Sequence, residues 1–214
     1  MEAGERRSSV RWRHHLPHWE RGLAWHAITI HCQGSLPAKA LEHLKAVQAG
    51  LKAVAPRSEA AYRERKKRFV MVEKYLDQSE GFTPFTQPDV VARCWPAWKA
   101  LEIDGWQVGL GVFMPNHVHA LIRRQREPTG MDLKTAIKRF KGRTARWGNQ
   151  AIERVGRFWM EDWYDRWMRS DSEFRHTFGY IQNNPVKAGL VAEPADYPWF
   201  YQSPEASLPT MESP

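Results

Sequence analysis

His117 and His119 stand two residues apart in HVHALIR, a segment that reads as a strand. That spacing puts both imidazoles on one strand face, about 7 Å apart at Cα, close enough to share one ion. A second pattern is His176, Tyr180 and Asn184, four residues apart in turn. At 100° per residue, Phe174, Phe178 and Ile181 fall within about 60° of one another and form a buried helical stripe. Tyr180 then lies about 120° from the centre of that stripe, with Asn184 about 40° from Tyr180 on the same side. A phenol beside the packed face is placed to line a site, and a half-buried structural tyrosine meets the same geometry. Asn184 precedes Pro185, which disfavours helical torsions, so Asn183 competes with it for any role.

The elements that position these residues are legible from period and breakers. Ala24 to Cys32 alternates as a strand, with Trp25, Ala27, Thr29 and His31 on one face. A helix opens after Leu36-Pro37 and ends near Ala55-Pro56, and a second runs from Ser58 to Leu76. Asp89 is expected to cap a third helix, bent or shortened by Pro96. Trp106 to Met114 and His117 to Arg123 form a hairpin around Pro115-Asn116. The helix Asp132 to Trp147 buries Leu133, Ala136, Ile137 and Phe140 and leaves Lys134, Lys138, Arg139, Lys141, Arg143 and Arg146 outside that stripe. Ser170 and Glu173 have capping-box spacing at the start of the tyrosine helix.

The chain has 214 residues, a formal net charge of +8 and a hydrophobic fraction of 42%. This is enough apolar content for a folded core, and the charge favours a polyanionic partner, nucleic acid before membrane. No stretch approaches the roughly 20 apolar residues of a membrane span, and the N-terminus lacks a signal-type apolar run, so a cytoplasmic protein is expected. Cys32 and Cys94, far apart, read as buried thiols rather than a disulfide or zinc site. Residues 1–22, with His14, His15 and His18, read as an arm or strap, 23–203 as a single domain and 204–214 as a tail.

Three spaced segments carry a family resemblance: MPNHVHALI (Met114 to Ile122), FWMEDWYDRWMR (Phe158 to Arg169) and YIQNNPVKAGLV (Tyr180 to Val191). Together they resemble the single-tyrosine HUH transposases, closest to the REP-associated tyrosine transposases, over roughly Leu16 to Ser203. The resemblance implies an α+β, ferredoxin-like fold: an antiparallel sheet with helices packed on one face. It implies that His117 and His119 are metal ligands, Tyr180 the nucleophile and Asn184 a third ligand. Arg166 departs from the histidine that many relatives carry there.

By the same resemblance the substrate is single-stranded DNA beside a palindromic hairpin, and the protein acts as monomer or homodimer. A phenol of ordinary pKa near 10 needs an activated target, which Mg²⁺ or Mn²⁺ on imidazole and amide ligands provides. The expected product is a 5′-phosphotyrosine with a free 3′-hydroxyl. The six basic residues of the Asp132 helix are the expected nucleic-acid face, with Trp147, Trp159, Trp163 and Trp167 as stacking platforms. His176 reads as a surface histidine, and no general base is assigned. The alternative, from a different class, is a domesticated protein that binds DNA or RNA hairpins without catalysis.

Overall fold

The computed structural model describes residues 9–12, 17–52, 58–125, 131–206 and 209. His14 and His15 lie outside the described residues. The first elements, β1 (Ser9–Trp12) and β2 (Pro17–Glu20), pair antiparallel as a ribbon, so the expected unpatterned arm contains a hairpin. The Glu20 carboxylate pairs with Arg124 and accepts from the Leu133 amide at 3.0 Å, which straps this segment to the domain.

Then come β3 (His26–His31), α1 (Ala38–Lys52) and α2 (Glu59–Leu76), close to the expected ranges. The third helix divides at Trp95 into α3 (Pro88–Cys94) and α4 (Pro96–Ile103), because Pro96 cannot donate into the helix before it. Gln87, not Asp89, is the N-cap of α3, and Asp89 occupies the first turn, where the helix dipole favours a carboxylate. The hairpin β4 (Trp106–Met114) and β5 (His117–Arg124) leads to α5 (Leu133–Ala151), which Asp132 caps through Thr135 N. The remainder is β6 (Tyr164–Trp167), α6 (Asp171–Gln182), α7 (Asn184–Lys187) and β7 (Phe200–Tyr201). No described helix is long and apolar enough to cross a membrane.

Five strands form one sheet in the order β6-β3-β5-β4-β7, with every pair antiparallel. Its first four strands follow the βαββαβ path of a ferredoxin-like fold. The expected α+β architecture is therefore present, but helices cover both faces rather than one. The reason lies in the strands, since β4 and β5 are buried on both sides. Val118, Ala120 and Ile122 pack with Val90, Trp98 and Phe140 of α3 to α5. Leu110, Val112, Met114 and Leu121 pack on the other side with Phe174, Phe178 and Ile181 of α6.

A register shift between Val108 and Leu110 makes Gly109 a bulge, and it reverses which residues of β4 face which layer. Trp106 and Val108 belong to the α3–α5 side before the bulge, and Phe113 belongs to it afterwards. Gly111 is small for a separate reason: a Cβ there would lie 2.7 Å from the Trp98 ring.

Candidate functional site

His117 and His119 project from β5 toward the α6 side of the sheet, since Val118 and Ala120 between and beside them pack on the α5 side. Both are almost fully buried, and their Nε2 atoms face each other across 3.0 Å. Strand register supplies their supports, because β3 sets Thr29 opposite His119 and His31 opposite His117. Thr29 Oγ1 meets His119 Nδ1 at 2.9 Å, and Asn116 Oδ1 accepts from His117 Nδ1 at 2.7 Å. The Asn116 contact fixes the tautomer in which His117 Nε2 keeps its lone pair. His31 Nδ1 meets Ser35 Oγ at 3.0 Å.

Burial holds these imidazoles neutral. It lowers His119 and His31 to about 4, and it lowers His117 well below the ordinary histidine value, with His119 adding to the effect. Neutral imidazoles are the metal-binding form.

Tyr180 comes to this pair from α6, whose start Ser170 caps by accepting from Glu173 N at 3.1 Å. Glu173 reaches back to Arg169 N at 2.8 Å and also pairs with Arg166. The Tyr180 ring is 6.2 Å from the His119 ring, and its hydroxyl donates to Glu73 Oε2 at 2.7 Å. Glu73 Oε2 is in turn 3.3 Å from His119 Nε2. Burial, and then the Glu73 carboxylate, push the Tyr180 phenol above its usual value. Burial also raises Glu73 to about 7. Beside them Lys187 Nζ stands 5.3 Å over the Tyr180 ring and pairs with Asp77 at 2.6 Å.

The structure separates the two competing asparagines. Asn183 caps α6, is exposed, and donates to Gly179 O at 2.9 Å. Asn184 is fully buried at the start of α7, and neither its Oδ1 nor its Nδ2 has a hydrogen-bond partner. An amide buried with both ends unpaired is costly unless a ligand or water completes it. The neutral imidazoles of His117 and His119 and the neutral amide oxygen of Asn184 are donor types that a divalent ion accepts. Among the described residues no group of three or more His, Cys, Asp and Glu side chains is arranged to hold a metal ion.

Glu73 is the residue that sequence reasoning missed. Its signal was a carboxylate on the apolar stripe Phe69, Val72 and Leu76 of α2, where a charge has to answer to something. His176 is exposed, as expected of a surface residue.

The structure does not bring the basic side of α5 to Tyr180. That helix packs on the opposite face of the sheet from the histidine pair. Arg139 and Arg143 pair with Asp104, and Lys141 donates to the Met160 and Glu161 carbonyls at 2.7 and 2.6 Å. Lys138 and Arg146 are exposed, and Lys134 is half-buried. Trp159 and Trp163, expected as stacking platforms, are core residues, and Trp159 Nε1 donates to Thr144 Oγ1 at 2.9 Å. Trp147 packs against the same core.

Trp167 sits in a different setting, with Arg21 4.4 Å and Arg169 5.3 Å from its ring. Next to it, at the start of α6, a cleft of about 420 Å³ is lined by Trp25, Arg123, Arg169 and Ser170 among others. Arg123 lies 4.7 Å over the Trp25 ring.

Residues 97–184 match the family model described as "Transposase IS200 like". That segment contains the hairpin, α5 and α6 with Tyr180, and it ends on Asn184. A Haemophilus influenzae protein described as uncharacterized is 23% identical over 119 residues, which are 45% of this chain and 63% of that protein. The chain thus spans under two thirds of that relative's length. A solved structure titled as a REP-associated tyrosine transposase bound to a REP hairpin aligns with a TM-score of 0.48 at 16% identity, covering 90% of this chain and 81% of that one.

Proposed function

We propose, from the match of residues 97–184 to the IS200-like transposase model, that the chain is a metal-dependent tyrosine transposase that cuts and rejoins single-stranded DNA beside palindromic hairpins. The observation that carries this reading is Tyr180 standing 6.2 Å, ring to ring, from a buried histidine pair whose Nε2 atoms are 3.0 Å apart. A protein that only binds hairpins has no use for that arrangement.

Tyr180 Oη attacks the scissile phosphorus in line. The new bond joins Oη to phosphorus, the bond from phosphorus to the 3′-oxygen breaks, and the phenolic proton leaves Tyr180 as the 3′-hydroxyl is released. The product is a 5′-phosphotyrosine that keeps the phosphodiester energy, so attack by another 3′-hydroxyl reseals a strand without ATP. His117, His119 and Asn184 would hold Mg²⁺ or Mn²⁺, which supplies Lewis-acid polarisation of the phosphate and neutralises its charge. Glu73 holds the phenol in place by accepting its hydrogen bond at 2.7 Å. The Lys187 ammonium, 5.3 Å from the Tyr180 ring, adds positive potential where the anionic substrate must approach.

The unpaired strand runs, in this reading, along α6 between Tyr180 and the cleft lined by Arg123 and Arg169 at the start of that helix, roughly 14 Å away at 1.5 Å per residue. Arg21 and Arg169 beside the ring of Trp167 suit a single strand, which needs cations for phosphates and rings for bases.

The test is incubation of the protein with labelled single-stranded hairpin DNA and Mg²⁺ or Mn²⁺. Wild type yields a DNA-linked protein band on a denaturing gel, and Tyr180→Phe binds DNA but yields none. Binding by wild type without cutting or linkage under either ion would favour a non-catalytic hairpin-binding protein. Cleavage that survives Tyr180→Phe would favour attack by water.

A further inference from the structure

The interior around Tyr180 holds more electron-pair donors than its own side chains satisfy. Glu73 is 3% exposed, its Oε2 accepts from Tyr180, and its Oε1 has no hydrogen-bond partner. Lys187, the ammonium beside the ring, is engaged by Asp77 at 2.6 Å. A carboxylate this far from water calls for a cation against it.

Around the same spot stand two imidazole nitrogens 3.0 Å apart, one of them 3.3 Å from Glu73 Oε2. Spacings of this size are those of neighbouring donors bound to one small ion at about 2.1 Å. As they stand the three side chains do not form a metal-holding group, and Glu73 Oε2 is engaged by the phenol and each Nε2 by the other. Those contacts occupy the donors without balancing the charge.

We infer that Glu73 is a carboxylate ligand of the divalent ion held at His117 and His119, contributed by α2 rather than by the strand or the tyrosine helix. The inference rests on the reading of the histidine pair as an ion site. It adds a charged donor to a set otherwise made of neutral ones, and a hard carboxylate suits Mg²⁺ and Mn²⁺. It also makes one side chain touch both the reacting phenol and the ion, so the position of the nucleophile depends on α2.

The test needs no DNA and no turnover. Mn²⁺ binding to the full chain is measured by titration calorimetry and by the free-Mn²⁺ signal in electron paramagnetic resonance, for wild type, His119→Ala, Glu73→Asp and Glu73→Gln. Expected is binding by wild type, near-complete loss in His119→Ala, and affinity falling in the order Glu, Asp, Gln at position 73, with Gln about ten-fold or more weaker. Melting in chelator checks folding: Glu73→Gln removes a buried charge and is expected to melt no lower than wild type. Should Glu73→Gln not fold, Glu73→Asp carries the comparison, since it keeps the charge and shortens its reach. Wild-type affinity in the position-73 variants, with loss only in His119→Ala, would overturn the role of Glu73 and leave the histidine site standing. Absence of Mn²⁺ binding by wild type would overturn both.

Discussion

Tyr180 and Glu73 are 107 positions apart in the chain and share a 2.7 Å hydrogen bond, phenol to carboxylate. The bond ties the tyrosine helix to α2, and the Lys187–Asp77 ion pair fastens the same two segments one turn further on. The nucleophile of the proposed reaction is thus held from two sides, by the sheet through Phe174, Phe178 and Ile181 and by α2 through Glu73.

The supports of the histidines should matter as much as their own nitrogens. Thr29→Val keeps the shape of the side chain and removes the contact to His119 Nδ1 at 2.9 Å. Mn²⁺ affinity is expected to fall about ten-fold, as it does when an outer partner of a metal-binding histidine is lost. Calorimetry on the variant checks this, and an unchanged affinity would show that His119 is oriented by packing alone.

Stability in the presence of chelator should decline on the acid side of neutrality. His26, His31 and His119 are lowered to about 4 and His117 further, so each contributes stability above the unfolded value near 6.5 that is lost as pH falls. Glu73, raised to about 7, acts in the opposite direction: its contribution is present below the unfolded value near 4.5 and lost as pH rises through 7. Four groups outweigh one, and a loss on the order of 3 kcal/mol is expected between pH 6.5 and 5. Urea midpoints across that range measure it, and a flat profile would contradict the buried neutral state of these histidines.

Gly111→Ala places a methyl group 2.7 to 2.9 Å from three atoms of the Trp98 ring. Trp98 is 1% exposed and has nowhere to move, so overpacking should cost about 1 to 3 kcal/mol. The shift in urea midpoint reports the size. Wild-type stability would mean that the α4 layer yields more than its packing implies.

Single-strand binding should depend on the α6 end of the molecule and not on α5. Trp167→Ala is expected to weaken binding to single-stranded DNA by about 1 to 3 kcal/mol, the range for one stacked base. Arg139→Ala, in a residue engaged by Asp104 on the far face, should leave it nearly unchanged. Fluorescence anisotropy with a labelled oligonucleotide separates the two, and the reverse order would return the binding face to α5.

The sequence carried the local parts of this site and not the distant ones. His117 and His119 share a face because strands repeat every two residues, and Tyr180 and Asn184 align because helices nearly repeat every four. Those periods act within one element, so they are readable without the fold. Glu73 reaches the tyrosine only because the fold brings that side chain of α2 beside His119 and Tyr180, and no period in the chain encodes a contact between residues 107 positions apart. The basic side of α5 shows a related limit. Charge outside an apolar stripe says which side of a helix avoids the core, but not which face of the sheet the helix covers or that Asp104 waits there for two of the arginines. Trp159 and Trp163 were likewise core residues, for which an excess of tryptophan in the composition gives no location.

The most direct test of the central claim uses hairpin DNA labelled at either end. Protein and substrate are incubated with Mn²⁺, denatured, digested and analysed by mass spectrometry. The account predicts that label 3′ to the cut stays with the protein on a peptide modified at Tyr180, while label 5′ to the cut leaves with a free 3′-hydroxyl. A protein adduct on the other side of the cut, or on a residue other than Tyr180, would contradict it.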